Sequence, residues 1–296
     1  MAFLVASNLL IARQSISRVP GREASSGNSS LHLLGQFNWD ATADHLSRWV
    51  DAWGRVVDPQ NIHPYVPNVV PDERATVYPA PDKGYYSPYK NLANKLRSTP
   101  VGSSVLYVHD DLIVRASAVK KLGSAWKYTG SMFELPWPAK THYKWHWAKT
   151  CYASIRSIEK AGVVQRLIGQ PFPFNSDKAS LLRWGRGQSD MLYARNNNST
   201  LTTLFCDLLD EFYRRKLFLE CALPTALHIM QSLFGVETEN LSLCTNWGKH
   251  RKNMIESKCY QRGGFDVLHP VKNSIFFAAF DHINPPLSPP PAPVKR

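Results

Sequence analysis

Between residues 31 and 115 two hydrophobic rhythms take turns along the chain. The segment "LHLLGQFNW" reads as a strand. In "ATADHLSRWVDAWGRVV", Leu46, Trp49, Val50 and Trp53 fall at i, i+3, i+4 and i+7, one face of a helix. "NIHPYVPNVV" contains a strand-sized segment, and "PYKNLANKLRSTP" is helix-like, stopping before Pro100. "SVLYVHD" is the next strand, and its unbroken apolar character suits burial on both faces. Strands alternating with helices predict α/β organisation around a largely parallel sheet.

The rhythm changes after that. Residues 126–190 are rich in aromatics and proline. Within them "HYKWHWAK" alternates Tyr143, Trp145 and Trp147 with His142, Lys144 and His146, as a half-buried strand does. From residue 200 the pattern is helical. "STLTTLFCDLLDEFYRRK" offers Ser199 or Thr200 as N-cap. In "FLECALPTALHIMQSLFG", Pro224 either kinks the helix or starts it anew.

Residues 1–30 read as a leader, targeting or disordered. Its apolar part covers about ten residues, too short for a membrane span. It lacks a preceding basic region, as a signal peptide has, and carries three arginines before its first acid, Glu23, which suits an organelle transit peptide. Membrane association is expected only through an N-terminal segment that is missing or poorly defined. Residues 284–296, "NPPLSPPPAPVKR", form a proline-rich tail that cannot pack as helix or strand. One domain, 31–283, is expected between the two.

Composition narrows the classes. A chain of 296 residues, 44% hydrophobic and 11% aromatic, can bury a substantial core, so disorder is not its default. A net charge of +12 favours anionic partners: nucleic acid, anionic lipid or phosphorylated small molecules. The charge is spread, however. The densest clusters, Lys249-His250-Arg251-Lys252 and Arg214-Arg215-Lys216, are not long polybasic arms. The five cysteines show no CxxC spacing, which argues against thiolate-bound zinc, and their odd number leaves one without an internal partner. N-glycosylation triplets begin at Asn28, Asn197, Asn198 and Asn240 and matter only in the secretory pathway.

The candidate chemistry begins at "SVLYVHDDLIV", where Asp110 and Asp111 stand at the carboxyl end of a buried strand. Ligands of open α/β sheets sit beyond such ends. Two adjacent carboxylates there either hold Mg²⁺ or Mn²⁺ and share it with phosphate oxygens, or simply begin a turn or cap a helix.

"VLYVHDD" resembles the DxD-type strand end of GT-A glycosyltransferases, with His109 where the first acid stands, Asp111 at the last motif position and Asp110 between. The order of further motifs extends the resemblance over about 31–275: "DKGYYSPYKNLANKLRS" where such enzymes contact the nucleotide, "GQSDMLYARN" where the acceptor side begins, "FLECALPTALHIM" with an acid, and "FDVLHPVKNS" with a late histidine and lysine. The resemblance implies a single Rossmann-like α/β domain with a mixed, mainly parallel sheet and a helical second half. Residues 31–115 would be its nucleotide-binding half and 116–283 its acceptor half. It implies transfer of a sugar from a nucleotide-diphosphate donor to a carbohydrate or glycoconjugate hydroxyl, with Mn²⁺ or Mg²⁺ held by Asp111, Asp110, His109 and His269. It further implies a secretory-pathway or Golgi location, with an organelle or the cytoplasm as alternatives.

The same resemblance assigns the remaining candidates. Lys272 would pair with a phosphate, or is a surface lysine. Asp82, Tyr85, Tyr86, Tyr89 and Lys90 lie in the nucleotide segment, where the tyrosines either stack on a base or pack the sheet edge. Glu220, flanked by apolar residues, should have a raised pKa and suits a general base unless a backbone or arginine partner satisfies it. Asp190 is an alternative acid or a binder of acceptor hydroxyls. Trp137, Trp145, Trp147 and Trp184 would pack on sugar faces, or are core. Two other readings stay open: a nucleic-acid or anionic-polymer binder, although no helix-turn-helix, finger or RNP-type motif is present, and a glycosyltransferase-like domain without activity.

Overall fold

The first strand, β1 (Leu31–Gln36), serves two cores at once, with Leu34 packed on one face and Leu33 on the other. The computed structural model describes residues 29–68, 70–80, 86–129, 133–134, 148–169, 184–245, 257–271 and 273–286. After β1 come helix α1 (Ala43–Gly54), strands β2 (Ile62–Val66) and β3 (Tyr78–Pro79), helix α2 (Ser87–Ser98) and strand β4 (Ser104–His109). Next are β5 (Ile113–Val114), α3 (Ala116–Val119), β6 (Trp126–Thr129), β7 (Phe133–Glu134), α4 (Ala148–Ala161) and α5 (Val163–Ile168). The remainder comprises β8 (Gly185–Arg186), β9 (Met191–Arg195), α6 (Ser199–Arg214), α7 (Leu219–Phe234), β10 (Thr238–Leu241), β11 (Leu243–Thr245), α8 (Lys258–Arg262), β12 (Val267–His269) and α9 (Asn273–Ile283).

The fold is α/β, built on a mixed seven-stranded sheet of order β10-β6-β9-β4-β1-β2-β3. β1, β2, β3 and β4 are parallel to one another, and β10 is parallel to β6. β9 alone is reversed in this sheet, antiparallel to both neighbours, β4 and β6. A small second sheet, β11-β12-β5, lies alongside.

The expected patterns fold as the periodicities require. Thr42 caps α1 by accepting from the His45 amide, and Leu46, Trp49, Val50 and Trp53 form its buried stripe. Trp49 crosses β1 so closely that a Cβ on Gly35 would run into its ring, so only glycine fits there. Trp53 in turn meets Phe280 of α9, ring centroids 5.5 Å apart. β4 is buried along its whole length, Val105 and Tyr107 in one core and Leu106 and Val108 in the other. Helices α2, α4, α5, α6 and α7 contribute to the first core, α1 and α9 to the second.

Three expectations are corrected, and one of two alternatives is excluded. The N-cap of α6 is Asn198, whose side chain accepts from the Thr200 and Leu201 amides, not Ser199 or Thr200. Pro224 does not start a new helix, since α7 runs through it. Ser30 belongs to the fold rather than to a leader, since its carbonyl accepts from Ser104 and its side chain bonds Ser103 and His32. Asn284 is buried, accepting from the Ala116 amide and donating to the Val114 carbonyl, so the fold extends past 283. Residues 1–28 and 287–296 lie outside the described residues, as does "HYKWHW". Two disulfides, Cys151–Cys221 and Cys244–Cys259, tie α4 to α7 and β11 to α8, leaving Cys206 a buried thiol pushed up to about 12 by burial. Among the described residues no helix is long and apolar enough to cross a membrane.

Candidate functional site

From β1 the chain steps outward to β2 and β3, then returns to form β4 on the other side of β1. The intervening helices cover opposite faces, so the carboxyl ends of β1 and β4 lie where strand order reverses, the position at which open α/β sheets bind ligands. Gln36 and His109, the last residues of those strands, are register partners. Asp110 continues the pairing by donating its amide to the Gln36 carbonyl at 3.0 Å.

Three longer-range connections bring further side chains to this edge. Because β9 runs backwards, its beginning lies beside the end of β4, with Val108 opposite Met191. The His109 amide therefore donates to the Asp190 carbonyl at 2.9 Å. β12 pairs antiparallel with β5, and the Val271 amide donates to the Asp111 carbonyl at 2.8 Å, which sets His269 against Asp111. Finally, Glu220 occupies the first turn of α7. Proline at 224 has no N–H to give the Glu220 carbonyl four residues earlier. The Gly187 amide takes that carbonyl instead, at 2.9 Å. Gly185 packs on Pro224 so tightly that a Cβ would sit 3.0 Å from the proline carbonyl carbon, and its amide donates to Thr225 Oγ1 at 2.9 Å. The gap left by the proline thus fastens the segment leading to Asp190 onto α7.

The resulting cluster is buried and charge-rich. Asp110 is 1% exposed, and neither carboxylate oxygen completes an aligned hydrogen bond. Burial drives its carboxyl well above the ordinary range, repulsion from Asp111 adds to this, and nearby backbone amides oppose it without prevailing. His269 bridges two acids, with Nε2 3.3 Å from Asp111 Oδ1 and Nδ1 3.6 Å from Asp190 Oδ2. Burial alone would lower its pKa, but Asp190, Asp111 and Glu220 raise it, so the ring favours its imidazolium form. Asp111 is the reciprocal case: burial raises its carboxyl, and the His269 and His109 rings bring it below the usual value. His109 Nδ1 lies 3.3 Å from Asp190 Oδ1 and 3.2 Å from Asn38 Nδ2, while its buried Nε2 has no hydrogen-bond partner. Burial lowers the pKa of this ring despite Asp190 and Asp111. Burial also pushes Glu220 up to about 7, with Asp190 repelling its charge and His269 and Arg186 stabilising it.

His109, Asp110, Asp111, Asp190 and His269 are therefore gathered at one strand end, and Glu220 is coupled to them electrostatically. Tyr89 is not available to a nucleobase, because it is fully buried and donates its hydroxyl to the Leu217 carbonyl at 2.6 Å. Lys90 is committed to Asp210 of α6 at 2.7 Å. Trp184 is core rather than a sugar platform, 1% exposed with its indole donating to Glu159. Tyr86 is half-buried beneath the Lys216 ammonium. Asp82, Tyr85, Lys272, Trp137, Trp145 and Trp147 lie outside the described residues.

Sequence reasoning missed Asn38, which reaches His109, and Gln36, fixed between the Phe37 carbonyl and the Asn91 amide. It also missed Tyr107, whose buried hydroxyl has no hydrogen-bond partner and whose ring stands edge-on to His109. The available signal was polar Gln36 and Asn38 closing an apolar strand.

Among the described residues no three His, Cys, Asp or Glu side chains already surround a common point as a metal group would. The donor chemistry nevertheless fits a divalent cation. Both oxygens of Asp110 and His109 Nε2 are buried without an aligned hydrogen bond, and Asp111 Oδ1 meets the His269 ring at 3.3 Å. Oxygen donors suit Mg²⁺, and Mn²⁺ also accepts nitrogen. His269, its pKa raised by the flanking acids, would give up its proton on ligating a metal. No model of a known protein family matches the chain, and a search of curated proteins finds no match.

Proposed function

We propose that the protein is a metal-dependent glycosyltransferase of GT-A type, moving a sugar from a nucleotide-diphosphate donor to a hydroxyl acceptor. One observation carries this reading: acids and imidazoles from three separate parts of the chain meet at the reversal point of a mainly parallel sheet, with both oxygens of buried Asp110 left without an aligned hydrogen bond. The resemblance of "VLYVHDD" to a DxD-type motif points the same way.

Asp110, Asp111 and His109 would hold Mn²⁺ or Mg²⁺. When bound, the ion would neutralise the diphosphate and stabilise charge on the departing nucleotide. Glu220, its pKa pushed up to about 7, would accept the proton of an acceptor hydroxyl in an inverting transfer. Asp190, in contact with His109 and His269, would orient that acceptor.

The test is a panel of nucleotide-sugars scored for hydrolysis and for protection against heat, with Mn²⁺ and with EDTA, on the parent chain and on Asp111→Asn. Protection by at least one donor, lost on chelation and in the variant, is expected. Protection that survives both treatments refutes the metal-dependent reading. Metal-independent binding of nonspecific nucleic acid, falling steeply with salt, would replace it with an anionic-polymer function.

A further inference from the structure

We propose that the protein carries N-linked oligosaccharides on one edge of its sheet, one chain at the Asn197–Asn198 pair and one at Asn240. This inference is independent of the catalytic reading. It starts from two features the candidate site does not use: the Asn-x-Ser/Thr triplets at 197, 198 and 240, and the disulfides Cys151–Cys221 and Cys244–Cys259. Disulfides form and persist in oxidising compartments such as the secretory lumen, where asparagine is also modified.

The fold leaves these asparagines open. Asn197 is exposed in the turn between β9 and α6, and Asn240 is exposed on β10, an end strand of the seven-stranded sheet. Both map to the same margin. Asn197 donates to the Ser124 carbonyl just ahead of β6, and β10 pairs with β6, placing Asn240 opposite Tyr128. Asn198 is half-buried, but only its Oδ1 is spent on capping α6. A sugar joins through Nδ2, so the cap survives the linkage. Beside the pair lies a cleft of about 170 Å³ lined by Trp126, Leu201 and Val236, which leaves room for the first sugar against the protein.

The acids stand at the opposite end of β9, since Asp190 precedes that strand and Asn197 follows it, so a chain here does not obstruct them. At Asn240 a glycan would also shield an exposed strand edge from pairing with another chain. Adjacent asparagines are too close to carry two branched chains, hence one for the pair.

The chemical step is a group transfer. A bond forms between asparagine Nδ2 and C1 of an oligosaccharide as the bond from C1 to a polyprenyl diphosphate breaks. The diphosphate leaves, and one amide proton passes to the transferring enzyme. The hydroxyls two residues on, Ser199, Thr200 and Ser242, complete the recognised triplets.

The protein isolated from the cells that make it is treated with peptide-N-glycosidase in heavy-oxygen water, and its peptides are weighed. Conversion to labelled Asp at Asn240 and at one of Asn197 or Asn198 is expected. Peptides recovered wholly as unmodified Asn overturn the proposal. In parallel, an Asn28→Gln chain directed into the secretory lumen of cultured eukaryotic cells should lose two mobility steps to the same enzyme. Asn240→Gln should remove one step, and Asn197→Gln with Asn198→Gln the other. A secreted, folded chain unaffected by the enzyme also overturns it. Loss of catalytic activity in a fully glycosylated chain would count against the transferase reading alone.

Discussion

Asp110 offers a test in which stability and function should move in opposite directions. In the unfolded chain it titrates as an ordinary carboxyl, whereas burial beside Asp111 holds it well above that range in the fold. Between the two values the native state binds a proton that the unfolded state does not, so stability falls as pH rises. One proton is worth about 1.4 kcal/mol per pH unit. The cost therefore accumulates at that rate with each unit above the ordinary carboxyl range, until Asp110 ionises in the fold as well. Asp110→Asn cannot titrate. In EDTA its stability relative to the parent should be near level at the acid end and progressively greater toward the alkaline end.

Urea unfolding at a series of pH values reads this difference from the midpoints. Adding Mn²⁺ should restore the parent, by about 2.7 kcal/mol at a hundredfold excess over the dissociation constant, and leave Asp110→Asn unchanged. Parallel pH curves for the two proteins would show that Asp110 is not a strained, unsatisfied carboxyl. Equal rescue by Mn²⁺ would remove it from the metal site.

Three further outcomes follow from the geometry. Glu220 must be ionised to act as a base, so kcat/KM should rise with pH through about 7, and Glu220→Gln should lower turnover by about a hundredfold or more and abolish that limb; an unchanged profile would exclude the role. His63 is buried, with its ring lowered to about 3 by burial, then by Lys95 and His32, so the stability it contributes is present above the unfolded value of 6.5 and lost as pH falls below it. His63→Asn should spare the protein about 2 kcal/mol of acid destabilisation between pH 6.5 and 5, seen as a flatter melting profile, and an equally steep one would refute this. Gly35→Ala drives a methyl into the buried ring of Trp49 and should cost about 1–3 kcal/mol in chemical denaturation, whereas a change below about 0.5 would mean that the ring can yield.

What was legible in the sequence was set by short-range spacing. The buried stripe of α1 and the two-faced burial of β4 follow from periods of a few residues, and so does the position of Asp110 and Asp111 at a strand end. Residue type could not separate a binding aromatic from a core one. Tyr89 and Trp184 were resolved only by partners distant in sequence, the Leu217 carbonyl and Glu159. The cap of α6 lay among Asn198, Ser199 and Thr200, three competent residues in a row, and backbone geometry selected the first. Disulfide pairing was illegible because five cysteines permit many connectivities.

The least legible feature is the one that joins the two halves of the site. Taken alone, Pro224 is a defect in α7, costing the helix a hydrogen bond and exposing the Glu220 carbonyl. That vacancy is what the Gly187 amide fills, and Gly185 can approach because it has no side chain and Thr225 supplies an acceptor. The 185–187 segment is thereby registered against the first turn of α7. Three residues on, Asp190 enters the reversed strand β9 beside His109. Glu220 and Asp190 thus share one backbone connection, and the Asp190 charge adds to the raised pKa of Glu220. A helix-forming residue at 224 would satisfy α7 locally and leave the Gly187 amide in competition for a carbonyl already taken. The local helix preference and the placement of the acids pull against each other at this position, and the fold resolves the conflict in favour of the acids.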